Sequence, residues 1–165
     1  MIDTHFLRES PLFRDLNEAE RAQVLIIGQV RGYAGEEVIF REGDPGDGLY
    51  IVMAGEIRIS KHTGAGEEAL AILSPNAFFG EMALVDDSPR AADAIANGPA
   101  RTFFIPLKEL RTLIETNHGI ALKVLYALCE VLTQRLRETN ERYMTVFTLA
   151  QWGGGMPQAS PFPIP

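Results

Sequence analysis

The sequence has one cysteine, fewer basic than acidic residues and no long apolar run. The single cysteine, Cys129, leaves no partner for an internal disulfide and fits a reducing compartment, so we expect a cytoplasmic location. No apolar stretch approaches the roughly 20 residues of a membrane span, and the charged N-terminus does not resemble a secretory signal. The formal net charge of −7 argues against the binding of a polyanion by this chain, because nucleic-acid affinity depends mainly on clustered lysine and arginine.

Histidine is also scarce, and this argues against a catalytic metal centre. The three histidines, His5, His62 and His118, lie far apart and form no ligand motif. The sequence contains no Ser-His-Asp spacing and no glycine-rich triphosphate loop. We therefore expect no catalytic residues, no metal ligands, no cofactor and no enzymatic activity.

What is present is the composition of one globular domain whose periodicity changes twice along the chain. Residues are 46% hydrophobic and 22% charged, which is ordinary globular usage. Apolar residues between Pro11 and Ile27 recur at helical spacing, and Asn17 precedes acids in the way of a helix start. From Val30 to Phe104 the period becomes two, with glycine-rich turns between short runs. This region predicts an antiparallel sandwich or barrel with strands at 37–40, 49–54, 56–60, 69–73 and 102–105.

After Pro106 the pattern is helical again. A short helix is predicted from 107 to 115, and a long one follows Asn117, its expected cap, to about 146. The long helix carries an apolar stripe at steps of three and four, formed by Leu125, Leu128, Leu132, Leu136, Thr139, Tyr143 and Val146. Either this stripe packs on the β domain or it is a dimer seam. Residues 147–165 are rich in glycine and proline, and we predict a flexible tail there.

The segment from 79 to 92 is the most informative part of the chain. It reads Phe-Gly-Glu-Met-Ala-Leu-Val-Asp-Asp-Ser-Pro-Arg-Ala-Ala. Backbone N–H groups near Gly80 and the fixed cation of Arg90 suit an anion. The acid, Glu81, cannot hold an anion and must serve another group such as a sugar hydroxyl. An anion joined to a hydroxyl-bearing sugar describes a nucleotide.

These residues resemble the phosphate-binding cassette of cyclic nucleotide-binding domains, found in bacterial cAMP receptors, kinase regulatory subunits and gated channels. Residues 40–52 and Gly55-Glu56-Ile57 resemble that family's turn and strands, and the resemblance covers about 12–143. It implies a domain over 1–143 of the α+β class. The expected fold is an antiparallel, jelly-roll-like β-roll of about eight strands over 30–105. An N-terminal helix and two C-terminal helices over 107–146, the last one long, complete it.

The resemblance also implies roles for the cassette residues. Gly80 lets the backbone approach the ligand, Glu81 accepts from the ribose 2′-hydroxyl, and Arg90 pairs with the phosphate. The expected site comprises Gly80, Glu81, Met82, Ala83, Arg90, Ala91 and Ala92. Two plainer readings remain open: Glu81 as an acid favoured by a helix dipole, and Arg90 as a solvated surface arginine or a structural partner of Asp86 or Asp87. The turn at 43–48 is given no ligand role.

The choice of nucleotide depends on three positions. Ala91 replaces the threonine that the family associates with cGMP, which favours cAMP. Thr139 and Asn140 resemble the pair that contacts adenine in bacterial cAMP receptors, although Thr139 also fits a polar position that sets the register of a dimer seam. Asp93 departs from the family, which often has threonine there. It would weaken phosphate binding if it faced the phosphate and would matter little if it faced solvent.

The sequence therefore predicts a sensor or regulatory domain for a cyclic nucleotide, most simply cAMP, that signals by moving its C-terminal helices. The chain after Tyr143 has no recognition-helix pattern, so we expect no direct DNA binding and instead an unknown protein effector. We also expect no membrane partner, and either a stand-alone sensor or a fragment of a longer regulator. The alternatives are a ligand-free β-roll scaffold for dimerisation or protein docking, and a cupin-like metal enzyme.

Overall fold

The protein is described by a computed structural model over residues 5–152, with side chains described through 150. The chain divides into two compact units, Met1–Ala127 and Leu128–Pro165. The first unit contains all the strands and the cassette, and the second contains most of the last helix.

Two helices precede the strands. Helix α1 spans His5–Glu9 and helix α2 spans Glu18–Ile27. Asn17 starts α2 through a capping box, because its side chain accepts from the Glu20 N–H at 2.9 Å and the Glu20 carboxylate accepts from the Asn17 N–H at 2.8 Å. The predicted helix start at Asn17 is confirmed. Residues 11–15, which share the helical spacing, form turns instead.

Eight strands form two antiparallel sheets of four, which confirms the predicted α+β class and β-roll. One sheet has the order β1-β8-β3-β6 and the other β2-β7-β4-β5. The strands are β1 Gln29–Tyr33, β2 Val38–Phe40, β3 Gly48–Ala54, β4 Ile57–Thr63, β5 Gly66–Leu73, β6 Phe78–Phe79, β7 Asp93–Ala96 and β8 Ala100–Pro106.

An aromatic core fills the space between the sheets. Tyr50 lies between Phe79 and Phe104, with ring centroids 4.9 Å from each, and Phe40 reaches Tyr50 from the other sheet at 5.8 Å. The outer face of the first sheet is covered as well, because Phe6 of α1 packs on Phe103 at 5.1 Å. Burial on both faces explains why residues 49–52 are uniformly apolar rather than alternating.

Three further helices complete the fold: α3 Met82–Val85, α4 Leu107–Thr116 and α5 His118–Trp152. Asn117 accepts from the Ile120 N–H at 3.1 Å, so the predicted cap of the long helix is confirmed. The predicted end near 146 is wrong, and so is the start of the predicted tail at 147, since α5 continues to Trp152. No glycine or proline interrupts 147–152, and the first such residues are the glycines at 153–155. The rest of the predicted tail lies outside the described residues.

Within residues 5–152, no helix is both long enough and apolar enough to cross a membrane.

Candidate functional site

The cassette begins at Gly80, where the backbone requires glycine for two reasons. Its φ is +78°, in the left-handed region that side chains disfavour. A Cβ at this position would also lie 2.6 Å from Nη1 of Arg90 and 3.0 Å from the carbonyl oxygen of Gly48. The chain can therefore bring Arg90 against this backbone only because the side chain is absent.

Arg90 is the central cation of the cassette, and only 6% of it is exposed. Its Nη2 donates to Oδ1 of Asp47 at 2.7 Å and to the Gly48 carbonyl at 2.8 Å, and its Nη1 donates to the Gly80 carbonyl at 3.0 Å. The guanidinium carbon lies 4.2 Å from the ring centroid of Phe40. These contacts hold the guanidinium plane in one orientation.

A further guanidinium donor of Arg90, Nε, is buried. No group among the described residues accepts a hydrogen bond from it. A buried charged donor without an acceptor is costly, so the protein leaves one donor of Arg90 unsatisfied at this point.

The main chain of Arg90 is held by the turn between β2 and β3. Its N–H donates to the Asp44 carbonyl at 2.8 Å, and its carbonyl accepts from the Gly43 N–H at 2.9 Å. The same turn supplies Asp47, and β3 begins with Gly48. Residues 43–48 form the predicted turn, to which the sequence assigns no ligand role, and they carry the contacts that position the cassette arginine.

Asp47 is the partner of Arg90, so the proposed structural pairing with Asp86 or Asp87 is wrong. Asp87 instead accepts from Nη2 of Arg111 on α4 at 3.0 Å, and the same nitrogen donates to the Ala83 carbonyl at 2.8 Å. Asp86 accepts from the Ser88 N–H at 3.1 Å. Arg111 thus joins α4 to the cassette within the first unit.

Tyr50 supports Asp47 from the core. Its hydroxyl donates a long hydrogen bond to Oδ1 of Asp47 at 3.3 Å. Burial, followed by the nearby Asp47 charge, raises the pKa of the Tyr50 phenol well above its ordinary value, so this group remains a donor at any physiological pH.

The other predicted cassette residues divide by exposure. Glu81 and Ala83 are buried, whereas Met82 is half-exposed and Ala91 is exposed. Glu81 occupies the position before α3, yet its side chain makes no capping hydrogen bond there. The reading of Glu81 as an acid favoured by the helix dipole stays open, since that effect needs no capping hydrogen bond.

Asp93 takes neither of the two placements considered from the sequence. It is buried, with 3% exposed, and does not face solvent. Its Oδ1 accepts from the Glu42 N–H at 2.6 Å and its Oδ2 accepts from Nη1 of Arg41 at 3.2 Å. Its carboxylate is thus engaged by the β2–β3 turn rather than directed at the Arg90 guanidinium.

Two predicted base contacts lie in the second unit. Thr139 and Asn140 are exposed on α5, and the Thr139 hydroxyl donates to the Arg135 carbonyl of its own helix at 2.8 Å. Their role as base contacts stays a prediction.

A cavity of about 330 Å³ lies beside the cassette. Its walls are Gly43, Pro45, Gly46, Ala83, Asp86, Asp87, Ser88, Pro89 and Leu107. Glu81 and Arg90 do not line it, so it adjoins the predicted phosphate position without coinciding with it. Within the described part of the chain, no group of three or more His, Cys, Asp or Glu side chains is placed to hold a metal ion.

Asp47 and Phe40, the two side chains that hold the Arg90 guanidinium most closely, were not selected from the sequence. Both lie within residues 40–52, the second stretch that carries the family resemblance, and that signal could have drawn attention to them. Their contacts with Arg90 join positions 43 and 50 residues apart, which no local pattern reveals.

Eight antiparallel strands and the buried Arg90 that follows the Gly80-Glu81 turn place the chain in the class of β-roll domains. Residues 30–117 match the family model described as the cyclic nucleotide-binding domain, and the chain belongs to this family.

Named relatives agree with that assignment. The chain is 34% identical over 135 residues to the cyclic AMP receptor protein of Thermus thermophilus, covering 81% of this chain and 61% of that protein. A cyclic nucleotide-binding domain from Methylobacillus flagellatus superposes with a TM-score of 0.76 at 27% identity, covering 86% of this chain and 80% of that one. The regulatory domain of Toxoplasma gondii PKA, crystallised with cAMP, gives 0.63 at 30% identity, covering 67% and 42%.

Proposed function

We propose that this chain is a regulatory domain that binds a cyclic nucleotide, most simply cAMP, and that it is not an enzyme. The observation that carries the proposal is the buried Arg90, held in one orientation with a donor, Nε, that has no acceptor among the described residues. A phosphate oxygen is the acceptor such a planar, permanently charged donor suits best.

The charge of the site favours a singly charged ligand. Asp47 lies 2.7 Å from the Arg90 guanidinium, so the pair is close to neutral before any ligand arrives. A cyclic phosphodiester brings one negative charge, whereas a terminal phosphate brings nearly two. The site is therefore expected to accept cAMP and to discriminate against 5′-AMP.

The ribose and base contacts are proposed from Glu81 and Ala91. The buried Glu81 carboxylate is an acceptor only, and it fits a ribose 2′-hydroxyl as donor. Ala91 has no hydroxyl for the guanine amino group, which favours adenine. The Thermus relative is named for cyclic AMP and the Toxoplasma domain was crystallised with cAMP, and both support the same choice.

The proposed signal passes from the cassette to α4. Arg111 on α4 contacts both the Ala83 carbonyl and the Asp87 carboxylate, one within α3 and one just beyond it. A cassette that closes on a phosphate would move both acceptors, and α4 with them. A ligand produces such a shift only through different affinities for the two states.

Calorimetric titration tests the proposal and the Glu81 role together. We expect the wild-type chain to bind cAMP at micromolar or lower Kd, more tightly than cGMP, and 5′-AMP weakly or not at all. We expect 2′-deoxy-cAMP to bind about 10- to 100-fold more weakly than cAMP, since a hydrogen bond to a charged group contributes about 1.5–3 kcal/mol. Glu81→Ala should abolish that preference.

Glu18→Ala, which removes an exposed acid on α2, is the control and should preserve the preference. Absence of heat with every cyclic nucleotide at high protein concentration would reject the sensor and favour the ligand-free scaffold. Metal found in the purified protein would instead favour the cupin-like enzyme.

We also propose a homodimer through the stripe on α5. Four of its apolar members are exposed among the described residues, namely Leu125 at 43%, Leu136 at 60%, Tyr143 at 48% and Val146 at 65%. Exposed apolar side chains repeated at helical spacing are typical of a helix seam that another helix covers.

The molecular mass in solution, measured by light scattering, tests the proposed homodimer. We expect a dimer for the wild type and a monomer for Leu136→Glu combined with Val146→Glu, because two buried charges would face their own copies across the seam. Ile26→Glu, at an exposed position on α2, should leave the dimer intact. A wild-type monomer with and without cAMP rejects the seam.

The effector is proposed to be a protein rather than DNA, in keeping with the net charge of −7. The chain spans 61% of the Thermus relative, so the DNA or protein partners of whole relatives are not transferred here. A cytoplasmic location is proposed from the single free cysteine, Cys129.

A further inference from the structure

Asp93 is a buried acid on β7 that makes no contact with the Arg90 side chain. Its side chain is 4% exposed, and a carboxylate that deep requires compensating donors. The Glu42 N–H supplies a 2.6 Å hydrogen bond, and Nη1 of Arg41 supplies another at 3.2 Å. Nε2 of His62, on a largely exposed ring, lies 3.6 Å away. The shortest of these contacts is to the backbone of the β2–β3 turn.

Two hydrogen bonds within the β2–β3 turn link Arg41 to Asp44. The Arg41 N–H donates to the Asp44 carboxylate at 2.8 Å, and the Asp44 N–H donates to the Arg41 carbonyl at 3.1 Å. These hydrogen bonds stiffen the turn. A group that forms a hydrogen bond with one residue of the turn therefore positions the other residues as well.

Asp93 and the main chain of Arg90 form hydrogen bonds with adjacent residues of the turn. Asp93 holds the N–H of Glu42, while the main chain of Arg90 holds the N–H of Gly43 and the carbonyl of Asp44. The far end of the turn then presents Asp47 and the Gly48 carbonyl to the Arg90 guanidinium. The position of the guanidinium thus depends on the turn, and the turn is anchored on β7 by Asp93.

We infer that Asp93 is a positioning residue for the phosphate-binding arginine: it anchors the β2–β3 turn that orients Arg90, and it acts on ligand affinity only through Arg90. This inference rests on the proposed function. It also assigns a role to Asp93, an acid at a position where the resembled family often carries threonine or another uncharged residue.

The test is a double-substitution cycle read by calorimetry with cAMP. We expect Asp93→Ala to lower cAMP affinity about tenfold, the size of coupling usual for residues in one hydrogen-bond network. Asp93→Asn keeps an acceptor for the Glu42 N–H and should recover most of the affinity. Glu42→Gln changes the same turn but removes only the exposed pair with Lys61, so affinity should stay within twofold.

Two readouts separate positioning from a general loss of stability. In the Arg90→Lys background, Asp93→Ala should change affinity less than twofold, because the planar fork that the turn orients is already gone. The amide proton of Glu42 should also move upfield in the NMR spectrum of Asp93→Ala, since a short hydrogen bond to a carboxylate is lost. The preference for cAMP over 2′-deoxy-cAMP, which belongs to Glu81, should not change.

Each contrary outcome has a definite meaning. A wild-type chain that binds no cyclic nucleotide rejects the proposed function and the inference with it. A wild type that binds cAMP, with Asp93→Ala within twofold of it, overturns the inference alone. An equal loss in the arginine and Arg90→Lys backgrounds also overturns it, because Asp93 would then act independently of Arg90. If Asp93→Ala does not fold, Asp93→Thr is read in its place.

Discussion

Arg90→Ala is expected to lower the affinity for cAMP by about 30- to 4,000-fold. The charge pair in question is the one that Arg90 would form with the ligand phosphate. Truncating one partner of such a buried pair costs about 2–5 kcal/mol of binding free energy, and each 1.4 kcal/mol is tenfold in affinity. Arg90 meets that condition because it is 6% exposed and its guanidinium is fixed by Asp47, Gly48 and Gly80. Calorimetry with cAMP on the folded variant measures the loss.

Arg90→Lys distinguishes charge from shape at this position. Lysine keeps the cation but loses the planar fork, so it should recover only part of the affinity. Arg101→Ala, at an exposed position on β8, is the matched control and should bind like the wild type.

Loss of binding must also be separated from loss of folding. In Arg90→Ala the Asp47 carboxylate loses its cation, but the Asp47 side chain is 55% exposed and remains solvated. The Gly48 and Gly80 carbonyls lose a donor as well. The double variant Arg90→Ala with Asp47→Ala should therefore be at least as stable as Arg90→Ala, while binding stays lost. Wild-type affinity in Arg90→Ala would reject the cassette as the ligand site.

Gly80→Ala is expected to reduce both stability and binding, with binding affected most. The left-handed conformation costs a side chain about 1–2 kcal/mol, and the new Cβ would lie 2.6 Å from Nη1 of Arg90. Relief of that contact requires the guanidinium to move away from the Gly80 carbonyl. The loss of cAMP affinity should therefore approach that of Arg90→Lys.

Gly43→Ala is the matched control for backbone strain. Its φ is +87°, close to that of Gly80, but a Cβ there meets nothing within 4 Å. It should cost a similar 1–2 kcal/mol of stability from the backbone alone and keep its N–H on the Arg90 carbonyl. Denaturant unfolding reports the stability of both variants. Equal cAMP affinity of Gly80→Ala and Gly43→Ala would show that the contact with Arg90 is unimportant.

The cassette itself was readable from sequence because its chemistry is local. Glycine, acid and arginine lie within residues 80–90, and the requirement for a bare backbone at Gly80 and a fixed cation at Arg90 follows from residue type. Capping by Asn17 and Asn117 was readable for the same reason, since a cap acts on N–H groups three residues away.

Strands β1, β6 and β7 were not predicted as separate elements, and the helix α1 was missed. Strand β6 has two residues, too few for any period, and β7 is buried along its whole length and so shows no alternation. Helix α1 has five residues and is held by packing of Phe6 on Phe103 rather than by propensity. Short or doubly buried elements depend on distant partners for their stability.

The sequence by itself determined the class of fold, the place of the cassette and the residue types that an anion and a sugar hydroxyl require. These three features depend on the periodicity of apolar residues and on spacings of a few residues, both of which are visible within short stretches of the sequence. Only the tertiary structure decided that Asp47 pairs with Arg90 across 43 residues and that Asp93 holds the Glu42 N–H across 51. Such contacts are selected when the two sheets close and bury Arg90 and Asp93, because a buried charge then takes whichever donor or acceptor the fold brings within reach.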